Sequence, residues 1–170
     1  MIKKKITLSV LACAFLSLVA IGSISAQETS KEKLTAGPKD ENEKVSPGKI
    51  DKDAKKEFIK TKSGLKYRVL RKGKMDGKKP AATNKVTVHY KGWLDNGKIF
   101  DSSYRRAEKI SFPLNGVIRG WTEGMQLIRE GGMIELEIPA ELGYGARAVG
   151  GGLIPANSTL HFVVELYEVK

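Results

Sequence analysis

Several stretches of the chain alternate apolar with polar side chains at a period of two. Residues 64–70 read Gly-Leu-Lys-Tyr-Arg-Val-Leu, residues 85–90 place Val86, Val88 and Tyr90 on one side, and residues 133–138 and 160–166 repeat the pattern. That period predicts strands with one buried and one wet face, arranged as an antiparallel sheet. Asp95-Asn96-Gly97 predicts a tight hairpin turn, because Asn-Gly accepts the positive φ such turns require. The period changes between residues 119 and 128, where Trp121, Met125 and Ile128 recur at i, i+4 and i+7 and predict a short helix with one apolar stripe. The fold class these elements imply is α+β, a curved antiparallel sheet packed on one short α-helix.

The N-terminal part reads differently. Lys3, Lys4 and Lys5 precede an apolar run over residues 6–22, and Ser25 and Ala26 supply small residues for cleavage, so residues 1–26 are expected to be a signal peptide and the protein to be exported, periplasmic or extracellular. An uncleaved membrane anchor is the alternative. Cys13 is the only cysteine and lies inside this segment, so the mature chain would have no disulfide and no thiol ligand. Residues 27–60 are rich in Lys, Glu and Asp, carry Gly37-Pro38 and Pro47-Gly48, and hold few large apolar side chains. Such a segment is expected to be a flexible charged linker, with at most a short helix over residues 51–60. The folded domain is expected over residues 61–170.

Charge changes the picture little. The formal net charge is +11, and without the three lysines of the signal 27 basic residues face 19 acidic ones, a net +8. The basic residues are scattered among acids with no interleaved stacking aromatics, which argues against a nucleic-acid partner. No third ligand joins His89 and His161 at metal spacing, and both are expected to face solvent. The glycines at 143, 145 and 150–152 are followed by Leu153-Ile154-Pro155 rather than by a helix, so they do not read as a phosphate cradle. No Ser, His and carboxylate recur in a motif that would orient a hydrolytic triad. Asp101 before Ser102-Ser103 suits the start of a turn, its carboxylate accepting backbone N–H groups ahead of it.

Four segments in order carry a resemblance: VHYKGWLDNGKIFDSS from Val88, VIRGWTEGM from Val117, ELGYGARAVGGGLIP from Glu141 and TLHFVVEL from Thr159. Together they resemble the FKBP-type peptidyl-prolyl isomerases, of the exported bacterial type. The resemblance implies a sheet wrapped around the helix and an aromatic pocket that accelerates X-Pro isomerisation without cofactor or metal. It implies Asp101, Tyr144 and Phe100 as catalytic residues. It further implies Tyr90, Ile110, Val117, Ile118, Trp121, Ile154 and Phe162 as substrate-binding residues, with Trp121 as the floor under the proline ring and the Ile118 N–H holding a substrate carbonyl. Partners would be unfolded or partly folded proline-containing chains, with macrolides as inhibitors and a membrane only if the signal is retained. A noncatalytic holdase using the same groove is the alternative function. The chain departs from the family pattern at Ile110, where many relatives carry an aromatic, at residues 147–150, which lack a His-Pro, and at Ala156, where many have a second proline.

Overall fold

The computed structural model describes residues 33–170; the signal segment with Cys13 and residues 27–32 lie outside the described residues. Seven strands follow in order, β1 (Ile59–Lys60), β2 (Lys66–Arg71), β3 (Lys85–Leu94), β4 (Ile99–Ser102), β5 (Ile110–Pro113), β6 (Met133–Ile138) and β7 (Leu160–Val169), with helices α1 (Ser103–Arg106) and α2 (Arg119–Met125) between them. They form a single antiparallel sheet in the order β1-β2-β6-β7-β3-β4, and β5 shares the same edge of β3 as β4. The hairpin at 95–97 forms as expected: Leu94 N–H donates to Lys98 O at 3.1 Å, and Gly97 takes φ 79°.

The inner face is the core. Val86 and Val88 of β3, Leu136 and Ile138 of β6, and Leu160, Val164 and Leu166 of β7 are buried against Trp121 and Met125 of α2. The helix lies unusually close to the sheet. A Cβ on Gly120 would stand 2.5 Å from Ile138, and one on Gly124 would stand 2.6 Å from Leu136, so this i, i+4 glycine pair sets the spacing. The helix ends at Met125, three residues before the predicted limit, yet Ile128 is still buried at 2% exposure. One feature absent from the periodicity is α1, a single turn closed by Ala107 in the left-handed region.

The outer face is not wet, and residues 33–58 are the reason. The segment expected to be a flexible linker lies as a strap on that face, within the same compact unit, 33–170, as the sheet. Leu34, Ala36 and Ile50 pack on Leu70, Trp93, Met133 and Val163, the apolar side chains that the sheet turns outward. Gly37 sits against the Trp93 ring, where an added Cβ would be 2.8 Å from a ring carbon, and its φ is +75°. Lys44 and Val45 donate their N–H groups to Tyr104 O, and Asp51 N–H donates to Leu70 O at 2.8 Å. The helix expected over 51–60 is absent; a turn, a bend and β1 occupy those residues. Counting apolar residues inside the segment missed this, because most of the apolar surface it covers belongs to the sheet.

Charges go under the strap already paired. Lys91 on β3 is 2% exposed, its ammonium 3.0 Å from Glu43 Oε1 and donating to Pro38 O at 2.7 Å. Glu165 on β7 is 1% exposed and accepts from Arg71 Nη2 at 2.7 Å, from Tyr104 Oη at 2.8 Å and from Gly48 N–H at 2.9 Å. His89 is likewise buried rather than solvent-facing: its Nδ1 is 2.8 Å from Ser103 Oγ and its ring stacks on Tyr104 at 5.0 Å. Burial pushes the His89 imidazole below its ordinary value, with the nearby Glu165 opposing and Lys109 adding to that effect. His161 lies partly exposed, stacked on Trp93 at 5.7 Å and 2.7 Å from Asp95.

Two outcomes are expected from this face. Glu43→Ala leaves the Lys91 ammonium buried with one partner fewer and should lower the unfolding free energy by about 3 kcal/mol in urea titrations; native-state proteolysis should spare residues 33–58, and rapid cutting there would show a loose segment instead. The unfolded chain takes up a proton that folded His89 resists, so stability should be lost as pH falls below the ordinary imidazole value of about 6.5. His89→Gln should flatten that slope between about pH 7 and pH 5.

Candidate functional site

The sheet, β4, β5, the start of α2 and the loop after residue 142 enclose a cavity of about 770 Å³, within the size range of small-ligand sites. All ten residues singled out from the sequence line it: Tyr90, Phe100, Asp101, Ile110, Val117, Ile118, Trp121, Tyr144, Ile154 and Phe162. Trp121 is 4% exposed and lies at the base, met edge-on by Tyr90 at 5.3 Å and by Phe162 at 5.2 Å between ring centroids. Phe100 meets Phe162 edge-on at 5.5 Å. Edge-to-face pairs of this kind set the rings relative to one another as well as burying them.

Sheet geometry explains how these rings converge. Tyr90 and Phe162 point inward from β3 and β7, and Phe162 is paired in register with Gly92. A Cβ on Gly92 would come within 2.6 Å of both Phe100 and Phe162. The glycine therefore leaves the space that the two aromatic rings occupy. A glycine inside a strand pattern is the sequence signal for such close approach.

Asp101 is held from both sides. Its Oδ2 accepts from the Tyr90 hydroxyl, and its Oδ1 accepts from Arg106 Nη1 at 2.7 Å; Arg106 Nη2 also reaches the Tyr90 oxygen at 3.4 Å. The carboxylate thus binds side chains and does not accept the backbone N–H groups of the turn ahead of it, contrary to the turn-starting role expected from Ser102-Ser103. The local turn is tied by Ser103 instead, whose Oγ accepts from Tyr90 N–H at 2.8 Å. Burial above all, with the bond to Asp101 adding to it, pushes the Tyr90 phenol up to about 12. The bond to Asp101 raises Arg106 further, so the trio is a neutral phenol, a carboxylate and a guanidinium locked together. Such a unit fixes dipoles at the cavity wall and offers no free proton shuttle near neutral pH.

The Ile118 N–H, at the N-terminal boundary of α2, and the Tyr144 hydroxyl are neutral polar groups on the wall with no partner among the described residues. Both are available to a bound peptide. The glycine-rich loop that carries Tyr144 is ordered by its own backbone. It folds back as a small hairpin in which Val149 and Ile154 exchange hydrogen bonds of 3.0 and 3.1 Å, while Gly150, Gly151 and Gly152 take φ of 61°, 63° and 92°.

Sequence reasoning missed several lining residues. Phe112 lies two residues beyond Ile110 on the same strand face and packs on Trp121 at 5.5 Å, so the wall that carries Ile110 still presents an aromatic ring. The period of two along β5 was the signal for it. Arg106 had no signal, since only the turn of α1 brings it back to Asp101. Arg119 and Arg147 also line the cavity.

Residues 76–167 match the family model described as FKBP-type peptidyl-prolyl cis-trans isomerase. The chain is 53% identical over 121 residues to the FKBP-type peptidyl-prolyl cis-trans isomerase FkpA of Escherichia coli, a match covering 71% of this chain and 43% of that protein. The crystal structure of FkpA from Escherichia coli aligns at a TM-score of 0.64 and 51% identity, over 68% of this chain and 53% of that one. A crystal structure of a peptidyl-prolyl cis-trans isomerase from Pseudomonas syringae aligns at 0.61 and 36% identity, over 68% of this chain and 83% of that one. This chain therefore spans about half the length of the FkpA proteins it matches.

Proposed function

The chain belongs to the FKBP-type peptidyl-prolyl cis-trans isomerases, and from that membership we propose that it accelerates cis-trans isomerisation of X-Pro bonds in proline-containing polypeptides. The observation that carries the reading is the convergence of Tyr90, Phe100, Asp101, Trp121, Tyr144 and Phe162 on one cavity that also presents a backbone N–H and a hydroxyl without partners among the described residues. Rotation about an X-Pro bond faces a barrier of roughly 18–20 kcal/mol, because amide resonance keeps the bond planar. No bond has to be made or broken. The proline ring would rest on Trp121 between Tyr90, Phe100 and Phe162, away from water.

In that setting the planar amide loses solvent stabilisation of its polar carbonyl, while the twisted amide, less polar at oxygen, loses less. Ile118 N–H and the Tyr144 hydroxyl would hold the substrate backbone on either side of the turning bond. Asp101, fixed by Tyr90 and Arg106, would act as a set dipole beside it and not as an acid or base. Val117, Ile110 and Ile154 would close the apolar walls. Unaided isomerisation takes tens to hundreds of seconds, slow enough to limit folding, so the physiological substrates fit unfolded or partly folded chains. The Lys3-Lys4-Lys5 and 6–22 pattern supports that work being done after export, in the periplasm or outside the cell. Macrolide inhibitors would occupy the same aromatic floor.

A protease-free assay of cis-to-trans relaxation on short X-Pro peptides tests this. The wild-type chain should accelerate the relaxation, and Asp101→Ala and Phe100→Ala should each lower kcat/KM by roughly tenfold or more, the effect of about 1.4 kcal/mol of lost transition-state stabilisation. Unchanged rates in both variants would remove the site assignment. Peptide binding with no acceleration at all would leave a holdase.

A further inference from the structure

The chain has seven arginines, all among the described residues, and five of them are committed. Arg68 is 2.7 Å from Glu135, Arg71 is 2.7 Å from Glu165, Arg105 is 2.7 Å from Asp40 and Arg106 is 2.7 Å from Asp101, while Arg129 donates to Gly77 O at 3.2 Å. The two that make no side-chain hydrogen bond or ion pair among the described residues are Arg119 and Arg147, and both line the cavity, one at the first position of α2 and one on the loop after Tyr144. Among the described residues the only other charged one lining the cavity is Asp101, and its carboxylate is already taken by Arg106 and Tyr90. An apolar pocket thus carries two unpaired guanidiniums and no free carboxylate to answer them.

Resting on the isomerase reading above, we propose that Arg119 and Arg147 are specificity-determining residues that select proline segments with Asp or Glu close to the proline. A carboxylate one or two residues from the proline ring would find a planar, permanently charged fork with donors unspent, whereas a lysine there would meet like charge. Both arginines are exposed, so the selection works as rim electrostatics do: it favours encounter and register, each contact contributes modestly, and salt weakens it.

The test uses the full chain and peptides identical except for Glu, Ala or Lys placed immediately before or immediately after the proline, with relaxation rates and fluorescence-anisotropy binding measured in parallel. For at least one of the two placements, kcat/KM should be roughly three- to tenfold higher for the Glu than for the Lys peptide at low salt, the scale of one or two exposed ion pairs. The Ala peptide should fall between, and the difference should fade near 1 M salt, where screening acts over about 3 Å. In the Arg119→Gln/Arg147→Gln double variant the Glu-to-Lys ratio should approach one. Equal rates for Glu and Lys peptides in both placements overturn the proposal, as does a preference that the double variant keeps. If no peptide is accelerated, it is the isomerase reading that fails; binding then still decides the charge selection, tighter binding of the Glu peptide supporting it and equal binding overturning it.

Discussion

The Glu165 carboxylate is the point on which this structure depends. It lies 1% exposed on the outer face of β7, and leaving such a group unpaired costs several kcal/mol. Its three partners come from three separate parts of the chain: Arg71 from β2, Tyr104 from α1 and Gly48 from the strap. Arg71 supplies the opposite charge at one oxygen while Tyr104 and Gly48 satisfy the other, so the sheet, the first helix and the strap all meet at this one buried carboxylate. Gly48 also leaves the room, since a Cβ there would stand 2.6 Å from Glu165 Oε2.

That anchor reaches the inner face through α1. Tyr104, fully buried and tied to Glu165, stands between Asp101 and Arg106 in the chain, and the same turn brings the Arg106 guanidinium back to the Asp101 carboxylate. Ser103, next to Tyr104, binds both Tyr90 N–H and His89. The polar corner of the cavity is therefore set from behind, by a network on the opposite side of the sheet. A site that acts on an amide by desolvation and fixed dipoles needs such rigidity more than it needs reactive groups.

Much of this was legible in advance. Period-two alternation identified the strands that bury Val86, Val88, Leu136 and Val164, and the Trp121 and Met125 spacing identified α2, because burial of one face forces those periods on any sequence. The motif segments held nine of the ten predicted residues that the structure brings to one cavity, Ile110 alone lying between two of them. What escaped was everything that depends on an outward side chain having a partner. His89 reads as a solvated position, yet it is buried, as is Lys91 two residues on, since residues 33–58 cover that face. The outward apolar residues Trp93, Met133 and Val163 were the clue, and the unbroken run Phe162-Val163-Val164 already departed from a strand with a wet side.

By itself, then, the amino-acid sequence determined the family, the α+β class, the sheet and helix, and the membership of the aromatic pocket, because those follow from local periodicity and from contiguous motifs. Only the tertiary structure decided that Asp101 is clamped by Tyr90 and Arg106, that Gly92 makes room for Phe100 and Phe162, that the charged N-terminal stretch is a strap, and that Arg119 and Arg147 are the unpaired cations at the cavity. The physical reason is common to all four. Each is a pairing, a close approach or the lack of a pairing, among groups distant in the chain or turned back by a single helical turn, and each depends on distances that residue order does not encode locally.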